Sequence, residues 1–258
     1  MQTNIVVTGA NGRMGAAIIG LVLADPELKL SGLLERPGYE EGLERHGVPV
    51  ATSLEDLNPH AGGCVVVDFT APEAAVSTAQ AAAMLKVPVV MGTTGLDAAQ
   101  SQALEAAAKE IPLFWAPNMS VGINVLLRIL PELVSMLGPD YDVEMMEAHH
   151  KMKKDAPSGT ALKLAQCLTQ AKGWTMEQVN YHREGVIGER PQEELGVQTL
   201  RGGDVVGDHT VFFFGPGERI ELTHRAHSRD TFAQGALRAA KWLAGQKPGK
   251  LYSMSDLL

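Results

Sequence analysis

NIVVTGANGRMGAAIIG, residues 4–20, decides the architecture of this 258-residue chain, because a short apolar β-type run passes through a glycine-bearing turn directly into a helical pattern. Within GANGRMG, residues 9–15, Gly9 permits the tight turn, Gly12 allows close approach to a phosphate, and Gly15 allows the helix to pack on the strand. Backbone N–H groups and the helix dipole at such a junction hold a pyrophosphate. The spacing is GxxGxxG rather than GxGxxG, and a tight βα turn with no ligand also fits it. A second signal is Glu35, about twenty residues past the glycines at the end of the next apolar run, where an acid binds ribose hydroxyls. Its neighbour Arg36 offers a guanidinium to a 2′-phosphate, or is simply a solvated loop charge.

Working outward, LKLSGLLE completes a βαβ pattern, and CVVVDFT, VPVVMGTTG and IPLFWAPN follow, separated by Ala-rich helical stretches over about 72–85 and 97–109. Near-continuous apolar strands between helices predict a parallel sheet covered on both faces. Ligands in such sheets lie beyond the carboxyl ends of the strands, which places GTTG (Gly92, Thr93, Thr94, Gly95) and APNMS (Ala116, Pro117, Asn118, Met119, Ser120) on the ligand edge. Ordinary strand-to-helix turns account for each segment taken singly. After residue 120 the texture changes to a long apolar helix over about 121–137, the strand DVEMMEAHH, a helix over about 159–171, and the strand-like runs VQTLR, HTVFFF and RIELTHRA. Gly- and Pro-rich turns between these runs predict a mixed sheet. DTFAQGALRAAKWLAG then returns to helical periodicity.

A formal net charge of −8 argues against a general nucleic-acid binder. No apolar run reaches the roughly 18 residues of a membrane span, and the N-terminus lacks signal-peptide regions, so a cytoplasmic location is expected. Cys64 and Cys167 show no metal-ligand spacing and read as buried free thiols. No metal site is expected.

EAHHKMKKDAPSGTA, residues 147–161, carries the chemistry. Hydride transfer to a C–N or C–C double bond requires matched proton delivery, which suits a histidine. His149 and His150 end a predicted strand and so point to opposite faces; either is otherwise a structural hydrogen-bonding residue. Lys153 offers a cation to a carboxylate, whereas solvation accounts for Lys151 and Lys154. Pro157 precedes a helix start at which Ser158, Gly159 and Thr160 supply N–H groups and hydroxyls for a second anion site, or a plain N-cap.

This stretch resembles the signature of the 4-hydroxy-tetrahydrodipicolinate reductase (dihydrodipicolinate reductase) family. GANGRMG, VVVDFT, GTTG, APNMS, RGGDVVGDHTVFF and the C-terminal helix resemble that family in the same order over nearly the whole chain. The resemblance implies an α/β fold: a Rossmann-like parallel-sheet domain, residues 1–120 completed by 231–258, plus a smaller α+β substrate-binding and tetramerisation domain with a mixed sheet, residues 121–230. It implies a homotetramer that uses NADH and NADPH to reduce a cyclic dicarboxylate in diaminopimelate and lysine synthesis, with loss of water. Carried over by motif position, His149 is the acid/base residue and Lys153 the second catalytic residue, while His150, Gly159 and Thr160 contact the substrate. Cofactor contacts fall on Gly9, Ala10, Asn11, Gly12, Arg13, Met14, Glu35, Arg36, Gly92, Thr93, Thr94, Ala116, Pro117, Asn118 and Met119. Met119 stands where many relatives carry an aromatic residue. The competing readings are another nicotinamide-dependent dehydrogenase and a dinucleotide-sensing regulator without catalysis; the second predicts a degenerate 147–161 loop, which this chain does not have.

Overall fold

A computed structural model describes residues 2–57, 59 and 63–258, which divide into two units, residues 1–121 with 229–258 and residues 122–228. The first unit is built on strands β1 (Thr3–Thr8), β2 (Leu28–Leu34), β3 (Val50–Ala51), β4 (Cys64–Asp68), β5 (Val89–Met91), β6 (Leu113–Trp115) and β12 (Leu251–Tyr252). They form one parallel sheet in the order β12-β6-β5-β4-β1-β2-β3. The chain leaves β1 toward β2 on one side and later returns to β4 on the other, so the switch point of the sheet falls at the end of β1.

Alternate residues of β1 and β4 serve opposite faces. Ile5, Val7, Val65 and Val67 pack against α1 (Arg13–Ala24) and α6 (Asp230–Leu243). Val6 and Val66 pack with residues of α2 (Pro72–Leu85) and α3 (Ala98–Ala108). Burial on both faces explains the unbroken apolar runs, each fully buried Val or Ile contributing roughly 1.5–3 kcal/mol. The C-terminal segment supplies more than the predicted helix. It adds β12 to the edge of the sheet through Leu251 and Tyr252, a two-residue strand too short for any period to reveal.

The second unit carries α4 (Val121–Leu137, entering from the boundary), β7 (Asp142–His149), α5 (Gly159–Lys172), β8 (Val179–Asn180), β9 (Leu195–Arg201), β10 (Gly207–Gly215) and β11 (Glu218–Ala226). The strands form a mixed sheet in the order β11-β10-β7-β9-β8. β7 runs antiparallel to β10 and parallel to β9. Leu126, Leu130 and Val134 of α4, and Leu164 and Leu168 of α5, bury against Val143, Met145, Val197, Val211 and Phe213. Pro131 lies inside α4 without ending it, since burial of this face offsets the roughly 3 kcal/mol that an internal proline costs. Among the described residues, no helix is long and apolar enough to cross a membrane. Cys64 is buried as expected, but Cys167 is only half-buried, because it sits at the margin of the α5 stripe with its thiol toward the Leu127 carbonyl, 3.4 Å away.

Candidate active site

In the first unit the glycine turn is sterically specified. Gly9 has φ +61°, a Cβ on Gly12 would lie 3.0 Å from the Gly9 carbonyl oxygen, and a Cβ on Gly15 would overlap that carbonyl. α1 therefore starts hard against β1, with its first-turn N–H groups, at Arg13 and Met14, at the ligand edge. Glu35 braces this turn: its carboxylate accepts the Asn11 N–H at 2.9 Å and its own neighbour's, Arg36 N–H, at 3.0 Å. The Asn11 amide donates to the Tyr39 carbonyl at 2.7 Å, and Ala10 is buried with its N–H toward the Leu34 carbonyl. Asn11 and Ala10 thus hold the loop, and Gly12, Arg13 and Met14 form the cap and first turn of α1.

A cavity of about 580 Å³ opens beside the turn, with Gly9, Glu35, Arg36, Ser53, Thr70 and Ser77 in its wall. Its volume and mixed lining fit a nucleoside. The Arg36 guanidinium lies 3.5 Å over the Tyr39 ring, which pre-orders it at the cavity rim. Arg36→Ala is expected to weaken NADPH more than NADH, by about 1–3 kcal/mol, in a fluorescence titration with both cofactors. Equal loss for the two removes Arg36 from the 2′-phosphate.

The remaining cofactor candidates cluster at the ends of β4, β5 and β6. Asp68 is fully buried, and its Oδ1 accepts the Thr70 N–H (2.9 Å), the Thr70 hydroxyl (2.7 Å) and the Thr93 hydroxyl (3.2 Å). Trp115 Nε1 donates to the Thr93 carbonyl at 3.0 Å, and Gly92 is glycine because a Cβ would overlap the Phe69 ring. Thr93 is therefore a strut, while Thr94 and Pro117 are exposed at the edge. Ala116 is buried with its N–H on the Met91 carbonyl, and Asn118 accepts the Ser120 N–H at 2.9 Å. The Met119 side chain lies in the core with Ala233 and Ala236, and its carbonyl packs so close to Gly235 that a Cβ there would overlap it. The Met119 side chain is therefore turned away from the ligand edge, and only its main chain is placed for a contact there.

In the second unit, the face of β7 that carries Val143 and Met145 continues as Glu147 and His149, so the apolar core turns polar at the strand's end. The sheet register sets Glu147 between Thr199 of β9 and His209 of β10, and His149 opposite Arg201. Glu147 is wholly buried and Arg201 grips it in a fork, 2.8 and 2.9 Å. The same carboxylate accepts the Ser158 N–H at 3.0 Å and meets His149 Nδ1 at 2.6 Å. His149 alone of this pair keeps exposed side chain, about 10%, and so can reach a ligand. Its ring packs edge-on against His209, centroids 5.2 Å apart, and His209 Nε2 lies 3.2 Å from the Ser158 hydroxyl.

Main-chain bonds clamp the stretch: His150 N–H to the Val205 carbonyl (2.7 Å), Lys151 N–H to Gly203 (3.2 Å), and Gly202 N–H to the His149 carbonyl (3.0 Å). RGGDVV is thus the partner of AHHK. His150 lies just beyond β7, half-buried. The half-buried Lys153 pairs with the more exposed Asp155 at 2.9 Å, while Lys151 and Lys154 are exposed. One expectation needs correction. The Ser158 N–H is not available to a ligand, because Glu147 takes it, and the Ser158 hydroxyl accepts the Ala161 N–H at 3.1 Å as the N-cap of α5. Gly159 opens the helix, exposed, with no atom within 4 Å of where a Cβ would stand.

Burial pushes the His149 pKa down; Glu147 pulls it back up, Lys153 and Arg201 oppose, and the net value lies below the usual histidine range. Burial also pushes Glu147 up, but hydrogen bonds from Arg201, His149 and Ser158 outweigh it and keep it ionised. Burial, reinforced by His149, pushes His209 down to about 4. Between its ordinary 6.5 and about 4, the unfolded chain binds a proton on this residue that the folded chain does not. Its stabilisation is therefore complete above 6.5 and is lost as pH falls toward 4, by roughly 3 kcal/mol. Urea unfolding at neutral and mildly acidic pH should show this slope, reduced in His209→Asn.

Sequence reasoning missed Glu147, Arg201, His209 and Asp68. The available signal was that Glu147 stands two residues before His149 on one strand, hence on the same face.

A dinucleotide-type glycine turn in one unit and a buried carboxylate–histidine–arginine cluster in the other define the class, a nicotinamide-dependent oxidoreductase. Family models described as "Dihydrodipicolinate reductase, N-terminus" and "Dihydrodipicolinate reductase, C-terminus" match residues 3–119 and 122–258. The chain belongs to the dihydrodipicolinate reductase family, the NAD(P)H-dependent reductases of diaminopimelate and lysine synthesis. It is 60% identical to a 4-hydroxy-tetrahydrodipicolinate reductase of Oleidesulfovibrio alaskensis over 100% of both chains. It is 51% identical to that of Myxococcus xanthus over 98% of this chain and 96% of the relative. Among solved structures, a dipicolinate-bound dihydrodipicolinate reductase from Paenisporosarcina sp. TG-14 superposes with a TM-score of 0.79 at 23% identity, covering 100% of each chain, a likeness of fold.

Proposed function

We propose that this chain reduces 4-hydroxy-tetrahydrodipicolinate to tetrahydrodipicolinate with His149 as the acid and Lys153 as the second catalytic residue. The observation that carries this reading is the geometry of His149, which is held at Nδ1 by the wholly buried, Arg201-paired Glu147 yet keeps about 10% of its side chain exposed, beside the helix start that follows Lys153. Loss of the ring hydroxyl as water leaves a conjugated imine; a hydride then adds to the carbon that carried the hydroxyl, and a proton adds to its neighbour. The glycine turn and the Glu35–Arg36 rim would hold NADH or NADPH, which would supply the hydride and be oxidised in turn. His149 delivers the proton and regains one from solvent. One substrate carboxylate lies on the Gly159 and Thr160 end of α5, and Lys153 exchanges its exposed partner Asp155 for negative charge on the substrate.

Gly159→Val tests the carboxylate contact. The position is open, so the fold is kept, while substrate KM rises about tenfold or more and NADH affinity is unchanged. A normal KM returns this turn to a helix cap. His150, on the other side of the strand end, contributes to substrate binding, and His150→Gln moves KM more than kcat.

The working form is a cytoplasmic homotetramer assembled through the second unit. Val186 is fully exposed and Ile187, Tyr181 and Phe214 are exposed in that unit, apolar area of the kind that marks contacts between chains. Arg183 pins the segment that bears Tyr181, Val186 and Ile187 to β7 through Glu144, with paired bonds of 2.7 Å. Light scattering gives four copies per particle if this is right.

A further inference from the structure

We propose that Glu147 is the positioning residue of the acid site: its carboxylate holds His149 with the proton on Nδ1, leaving Nε2 to pick up and deliver the catalytic proton, and it aligns the start of α5 at the same time. The proposal deepens the reading of His149 as the acid and rests on it.

Oε1 of Glu147 accepts from Ser158 N–H (3.0 Å), Arg201 Nη2 (2.9 Å) and the Thr199 hydroxyl (3.3 Å), and Oε2 accepts from Arg201 Nη1 (2.8 Å). A carboxylate so surrounded is ionised and acts only as an acceptor. The 2.6 Å contact between Oε2 and His149 Nδ1 therefore requires a hydrogen on Nδ1. In the neutral ring Nε2 is then the basic nitrogen. Nε2 lies 3.0 Å from where a Cβ of Gly207 would stand, so glycine at that position leaves the nitrogen its room.

A plain structural ion pair would need only Arg201. Glu147 also holds three other residues: His149 at the end of its own strand, Thr199 on β9 and Ser158 at the cap of α5. Imidazole orientation and the carboxylate-binding helix start thus share one anchor. The charged and titratable groups around His149 are Glu147 on β7, Arg201 on β9, His209 on β10, and Lys153 with Asp155 in the following loop. Of these only Glu147 accepts from Nδ1.

Glu147→Gln keeps size but turns one acceptor into a donor. The amide NH₂ opposes three donors at the Oε1 corner (Ser158 N–H, Arg201 Nη2 and Thr199) but only Arg201 Nη1 at the Oε2 corner, so it takes the latter and donates to the lone pair of His149 Nδ1, moving the ring proton to Nε2. The expected result is a kcat lower by roughly 10–10³-fold with an unchanged NADH dissociation constant. The double variant Glu147→Gln/His149→Gln should be no slower than His149→Gln alone, because the carboxylate acts through the histidine. Independently of any variant, imidazole nitrogen chemical shifts of the unmodified enzyme should show His149 protonated at Nδ1. A wild-type His149 protonated at Nε2, an unchanged kcat in Glu147→Gln, or a full further loss in the double variant overturns the proposal. If His149→Gln keeps its kcat, the acid reading fails instead, and the tautomer measurement still decides what Glu147 does.

Discussion

His149→Gln is expected to lower kcat by roughly 10²–10⁴-fold while fold and NADH affinity stay as they are. Glutamine keeps hydrogen-bonding capacity toward Glu147 but has no proton to deliver at neutral pH. The pH dependence makes the effect specific. Burial holds the free-enzyme pKa of His149 below its usual value, so kcat/KM falls tenfold per unit as pH rises above a point that lies under 6.5. Two carboxylates on the bound substrate favour the imidazolium, so the corresponding limb in kcat lies at higher pH. The variant loses both limbs. A nearly wild-type kcat in His149→Gln, under conditions where chemistry limits turnover, makes Lys153 the leading proton donor.

Lys153→Ala is the second large effect, a fall in kcat of about 10²-fold accompanied by a rise in substrate KM. The two move together because the ammonium binds the dicarboxylate in the ground state and stabilises charge as the reaction proceeds. Its pairing with Asp155 does not compete strongly. Asp155 is 59% exposed, and an exposed pair of this kind contributes only about 0–1 kcal/mol. Stopped-flow measurement of the hydride step, with urea unfolding as a control, separates this outcome from a folding defect. A change in KM alone reduces Lys153 to a binding residue.

The parallel sheet was legible because burial on both faces leaves unbroken apolar runs such as CVVVD, and the glycine turn because Gly9 and Gly15 answer to steric demands local in sequence. The mixed sheet was legible as strands but not as an order, since β7 pairs with β9 and β10, more than forty residues away. The same distance hid the site's support. Glu147 reads as one more polar residue until Arg201 and Ser158 close on it, and His209 reads as a residue in an apolar strand until register places it beside Glu147. Asn11 and Glu35, read as cofactor contacts, also brace one another across the turn, a contact no spacing announces.

The most direct test of the account follows NADH and NADPH consumption on freshly generated 4-hydroxy-tetrahydrodipicolinate, with wild type, His149→Gln and Lys153→Ala side by side. The account predicts oxidation of both cofactors by the wild type, one per substrate consumed, and strong loss in both variants with cofactor binding intact. Absence of substrate-dependent oxidation in the wild type, or equal rates in all three proteins, contradicts it.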